Sequence, residues 1–189
     1  SDLGFGVNSD SKFNSIQELI EQSKANPKSL QVATNIGLPV HLIPLMFAES
    51  AGTDFKFIQI GGGSKRLSSI LGGHTDMAMF SLLAFIQYKD AGIKPLVVLS
   101  EQRTSLFPDV PTAKEIGVDL VMQDTRIWLA PKGTPPERIE LIATALRTAM
   151  ELPEVKKEFK TLGIHTTFGD AAELQPFLDN MLERVTPLV

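Results

Sequence analysis

The sequence predicts an α/β domain with an open, mostly parallel sheet and helices on both faces. Two observations carry this. Between Leu3 and Ser100, short apolar stretches alternate with segments of helical periodicity, giving β-α-β-α-β-α-β-α-β at close spacing. The stretch at 75–80 has apolar residues at both parities, Met77 and Met79 against Ala78 and Phe80, and PLVVLS at 95–100 is an uninterrupted apolar run. Strands buried on both faces read this way.

The elements follow in order. Residues 3–7 form a short apolar strand. Asn14 or Ser15 caps a helix with Glu18 near its third position and an apolar stripe of Ile16, Leu19 and Ile20. Asn26-Pro27 ends it, because proline pushes the preceding residue out of the α region. Residues 30–34 are the next strand. After a turn at 35–38, Pro39 opens a helix where its missing N–H costs nothing, and Gly52 closes it. Residues 55–60 are a strand that runs into Gly61, Gly62 and Gly63. Ser64 stands at an N-cap position ahead of Leu67, Ile70 and Leu71, and Gly72-Gly73 stops that helix. A helix over 81–91, closed by Gly92, leads to the strand at 95–100.

The pattern changes after Ser100. Residues 101–111 are charged and punctuated by proline, and a short helix at 112–116 ends at Gly117. A strand at 126–130 contains the single tryptophan, Trp128. Thr134 caps an amphipathic helix that runs to Glu151. Pro153 opens a second helix to Leu162. A small strand at 164–167 and a helix at 171–185 follow.

Composition narrows the function classes. The chain has 189 residues, 43% of them hydrophobic, enough for a packed core in one large or two small domains. A formal net charge of −4 argues against a general nucleic-acid binder. Without cysteine, thiolate nucleophiles, disulfides and zinc-thiolate sites are excluded. No apolar run reaches the length of a membrane-spanning helix, and the opening residues do not read as a signal peptide. The start, SDLGFGVN, reads as a strand entered mid-fold, as in a mature fragment or sub-domain.

In open α/β sheets ligands bind beyond the carboxyl ends of the strands, at helix N-termini. Three such ends occur here: Thr34, Asn35 and Gly37; Gly62, Gly63 and Ser64; and Phe80 with Ser81. Each loop has a hydroxyl beside a helix start, so each can offer N–H and O–H donors to a small carboxylate. A ligand-free tight turn is the plainer alternative. Lys65 and Arg66 sit in a first turn, where cations oppose the helix dipole. A bound anion would offset that cost; a solvated face would equally accommodate them. His41, one turn into its helix, either donates to a ligand or packs against neighbours. His74 and His165 are scattered from it, so no metal site is expected, and no cofactor. GxxxxGK[ST], GxGxxG and GxSxG are absent, which removes the common phosphate-loop and serine-hydrolase signatures.

The order of several motifs resembles one family across the whole chain: the Bug-type extracytoplasmic solute receptors of tripartite tricarboxylate transporters. Ser15 to Ile20 with Lys24-Ala25-Asn26-Pro27 is similar to its first helix and KANPG turn. Gly37 to Leu42 is similar to GSPLHL. Gly62-Gly63, then Leu71-Gly72-Gly73 and Asp76, resemble its GG…LLGGQVD run. Pro108 to Thr112 with Glu115 and Gly117 resembles LPDVPTxxEAG. Arg126 and Ala130 to Pro135 resemble WRG…APKGTP. Departures are Leu38 and Ser81, where serine and aspartate are frequent, and Gly61 in place of a lysine.

The resemblance implies a periplasmic-binding-protein type II-like fold of two α/β lobes closing on a ligand. Residues 1–125 would be lobe 2, residues 126–136 the hinge strand and linker, and residues 137–189 the helical end of lobe 1, whose first part would precede this chain. It implies no catalysis. The ligand would be a small organic anion such as a di- or tricarboxylate, and the partners would be membrane transporter subunits. The location would be periplasmic or extracytoplasmic, membrane-associated in some relatives. The contacts implied are the eight loop residues above, with His41, Lys65 and Arg126 as secondary candidates. An effector-binding domain of a transcriptional regulator, or an α/β hydrolase or transferase, are the alternatives.

Overall fold

A computed structural model describes residues 2–162, 164 and 168–188. It contains two compact units, Ser1–Asp124 and Thr125–Pro187.

The first unit is built on one sheet of β1 (Leu3–Asn8), β2 (Gln31–Thr34), β3 (Lys56–Gln59), β4 (Met77–Ser81) and β5 (Ile93–Val98). The strand order is β3-β2-β4-β1-β5. β2 pairs in parallel with β3 and β4, while β1 is antiparallel to both β4 and β5. Only β1 runs against the rest. Consecutive residues of β1, β2 and β4 are buried, so both faces are covered. On one face, Phe5 meets the edge of Phe47 at 4.9 Å. Phe47 belongs to α2 (Pro39–Ala51). On the other, α4 (Leu82–Gln87) lies directly on β1: a Cβ at Gly6 would fall 2.3 Å from Phe85 Cε1. β1 tolerates that approach because it carries no side chain there.

Local chemistry sets the helix ends. Ser15 accepts the Glu18 amide at the start of α1 (Ile16–Ala25), and the Glu18 carboxylate accepts from the Asn14 amide. Gly52 ends α2 at φ 62. Proline within α2 has a visible repair. Pro44 has no N–H for the carbonyl of Val40, one turn back. The Thr34 hydroxyl donates to that carbonyl instead, at 2.6 Å. α3 (Gly63–Leu71) is capped at Gly62, and Ser64 is already helical. The expected Ser64 cap is therefore corrected: Gly61 makes the turn at φ 108 and the helix starts directly behind it. α4 stops at Gln87, short of the expected 91.

Three further expectations change. Residues 112–116 form only a 3₁₀ turn at Lys114–Ile116. It is held by a reciprocal pair: the Glu115 carboxylate accepts from the Thr112 amide at 2.7 Å, and the Thr112 hydroxyl accepts from the Glu115 amide at 3.1 Å. Residues 126–130 are not a strand, because no neighbouring strand pairs with them among the described residues. Thr134 is not the cap of α5 (Pro136–Glu151); Pro135 is, and the Thr134 hydroxyl bonds the Pro131 carbonyl.

The second unit holds α5, α6 (Pro153–Thr161) and α7 (Ala171–Val185). Leu152 ends α5 and begins α6, and Asp170 with Glu173 forms a capping box on α7. Ile139, Leu141, Ile142 and Leu182 are exposed. Apart from Ile164, the expected strand at 164–167, with His165, lies outside the described residues.

Candidate functional site

β2, β3 and β4 are adjacent and parallel, so their carboxyl ends share one edge of the sheet. Each end runs into a helix start: residues 35–38 into α2, residues 60–62 into α3, and Ser81 into α4. The first turn of a helix presents amides without intrahelical partners and the positive end of the dipole.

The three ends are equipped differently. α4 is closed by its own cap, with Ser81 Oγ accepting from the Ala84 amide at 3.3 Å. α2 has no side-chain cap and starts on a proline. α3 has no side-chain cap either, and its cap residue is glycine. A Cβ at Gly62 would meet nothing within 4 Å. The amides of Gly63, Ser64 and Lys65 thus open the helix beneath bare backbone.

The predicted residues divide into those near the surface and those behind it. Asn35 and Ser81 are half-buried, and Gly37, Gly62 and Ser64 are exposed. Gly37, at φ 82, donates to His41 Nδ1 at 3.4 Å, and the His41 ring packs edge-on against Phe57. That bond leaves Nε2 as the protonated nitrogen of the neutral ring. Gly63 is half-buried and Lys65 exposed.

Thr34 and Phe80 are corrected. Thr34 is wholly buried; its hydroxyl serves Val40, and its carbonyl accepts from the Ile60 and Gly61 amides. It holds two loops together and offers a ligand nothing. Phe80 is 4% exposed and packs against Phe85 and Tyr88 as core. Arg126 is an exposed residue of the second unit.

One residue escaped the sequence reading, and another was weighed there only as a first-turn cation beside Lys65. Gln59, at the end of β3, clamps the first loop: its carbonyl accepts from the Ile36 amide at 2.6 Å and its amide donates to Asn35 Oδ1. Arg66 is the second. It is only 9% exposed, and its Nη1 donates to the Gly61 carbonyl at 2.9 Å. Its guanidinium lies 5.7 Å from the centre of the Phe80 ring. Burial lowers its pKa from the ordinary arginine value. A signal existed: Arg66, Ser69 and Ile70 are spaced i, i+3, i+4, so they share the buried side of α3.

A shallow open hollow runs along α3, lined by Ile60, Ser64, Lys65, Ser68, Ser69 and His74. Asp76 is structural, exchanging hydrogen bonds with the backbone of Gln31. Among the described residues, no acidic or histidine cluster could hold a metal ion, and no helix is long and apolar enough to cross a membrane.

The model of the tripartite tricarboxylate transporter family receptor matches residues 1–189. The chain belongs to this receptor family. A UPF0065 protein of Cupriavidus necator is 27% identical over 189 residues, covering 99% of this chain and 58% of that protein. The receptor chain here thus spans little more than half the length of that curated relative. The solved periplasmic binding protein BugD is 25% identical, with a TM-score of 0.79 over 99% of this chain and 64% of its own. A protein of R. palustris solved with adipate has a TM-score of 0.81 at 22% identity, over 97% of this chain and 62% of its own. These likenesses show the fold, that of periplasmic binding proteins of the Bug type.

Proposed function

We propose that this receptor chain grips a small organic anion, a di- or tricarboxylate, and makes or breaks no bond in it. The carrying observation is the uncapped start of α3 beneath Gly61 and Gly62, at the sheet edge shared by the ends of β2, β3 and β4. Unpaired amides at the positive end of a helix dipole suit a carboxylate. Bare glycine lets it approach the backbone. The adipate held by the R. palustris relative supports the same ligand class.

In this reading residues 1–125 are one lobe, residues 126–136 the hinge and residues 137–189 the helical part of the other. Closure on the ligand is the signal that membrane subunits of a transporter read in the periplasm. Succinate, adipate and citrate, titrated calorimetrically into the full-length protein beside adipamide, test the site. Saturable heat with an acid and none with the diamide is expected. Equal binding of adipamide, or no heat from any acid, overturns the proposal.

A further inference from the structure

We infer that Arg66 is the charge-selecting residue of the glycine loop, a buried guanidinium whose counter-charge is an anion bound at the start of α3. This rests on the carboxylate reading above and assigns the charge within it.

Side chains in a helix lean toward its N-terminus. Arg66, in the first full turn of α3, therefore reaches back beneath the loop that precedes it. Its Nη1 is bonded to the Gly61 carbonyl, and a Cβ at Gly63 would lie 3.9 Å from its Nη2. Phe80, at the end of β4, supports the cation from below. The guanidinium so lies between the ends of β3 and β4, in the loop that offers open amides.

Its surroundings leave the charge unbalanced. Among the described residues no carboxylate pairs with Arg66, and its buried Nε has no hydrogen-bond partner. A cation buried without a partner is costly, and burial already pulls its pKa down. The tether to Gly61 does not explain the charge, since a neutral amide donates to a carbonyl as well. Neighbouring Lys65 is exposed and solvated, so the two cations are not one surface patch. A carboxylate at the first turn of α3 supplies what the guanidinium lacks, in surroundings that screen the attraction less than open water does.

Arg66 acts here as a positioning and charge-bearing residue. The test uses the full-length protein with succinate, adipate and citrate at constant ionic strength, as wild type, R66Q and R66K. R66Q is expected to weaken the binding acid by about tenfold or more, and R66K to recover most of that loss. A purely structural tether would leave R66K no better than R66Q. Unchanged affinity in R66Q, or equal loss in both variants, overturns this inference and leaves the carboxylate reading standing. A wild type that binds none of the three acids overturns both. If R66Q fails to fold, the Arg66 Nε–H resonance of ¹⁵N-labelled wild type decides. It must shift on saturation with the acid; an unmoved resonance overturns the inference.

Discussion

Gly62→Asp places a carboxylate on the chain where the proposed ligand would bring its own. The backbone accepts it: Gly62 has φ −63 and ψ 169, open to any residue, and a Cβ there has nothing within 4 Å. As N-cap of α3, aspartate accepts from the first-turn amides that glycine leaves open. Aspartate improves on glycine at a cap by a few tenths of a kcal/mol, and a negative charge at a helix start adds about 0.3–1 kcal/mol. The sum is a stabilisation of about 0.5–1.5 kcal/mol, or roughly 1–5 °C in Tm for a chain of this size. Thermal and urea unfolding read the gain, and calorimetry with the three acids reads the loss. The tethered carboxylate should compete with the ligand and lower its affinity by about tenfold or more. Gly62→Ala is the control, since it adds a Cβ without a charge; it should gain no stability and lose less affinity than Gly62→Asp. A Gly62→Asp protein that is less stable, or that binds acids like wild type, would refute the claim that the start of α3 is open to anions.

Three other outcomes are expected. Gly6→Ala should destabilise by about 1–3 kcal/mol or more, because the new methyl meets Phe85 at 2.3 Å and the Lys94 carbonyl at 2.6 Å; urea midpoints measure it. Thr34→Val should cost about 1–3 kcal/mol by leaving the Val40 carbonyl unsatisfied. In a Pro44→Ala background, where residue 44 regains its N–H, that cost should shrink, and a double-mutant cycle without coupling would contradict the repair. Glu115 is held below the usual glutamate range by the Thr112 amide and then by Arg103. Its stabilisation is complete above the unfolded pKa of about 4.3 and is lost as pH falls through the lower folded value. Glu115→Gln should therefore lower Tm at pH 7, with the gap to wild type closing below about pH 4; a gap constant with pH would contradict this.

Much of the fold was legible because its punctuation is local. Ser15, Pro39, Gly52, Gly72-Gly73 and Pro153 mark helix ends through their own dihedrals or hydroxyls, which act within one turn of chain. The parallel order of β2, β3 and β4 followed from their short helical connections. What failed was non-local. Residues 126–130 have a strand's composition, but a strand needs a neighbour that no local pattern supplies. Thr34 and Phe80 stand where a ligand loop should, yet their burial depends on α2 and α4 folding over them. Arg66 beside Lys65 reads as a solvated pair, until the helix turns one inward and the other out. Gln59 looks like the polar residue of an edge strand, and its grip on Asn35 and Ile36 is a tertiary contact.

The position of β1 has a consequence for assembly. It is the one member that joins β4 to β5, and Gly4 stands opposite Phe80 on one flank and Val98 on the other. Until Val98 has left the ribosome, β1 has an unfilled flank, and the sheet lacks its edge strand β5. Completion must wait for pairings between distant parts of the chain, the sort that close slowly. A nascent chain halted before β5 should accordingly be the form most readily taken up by chaperones.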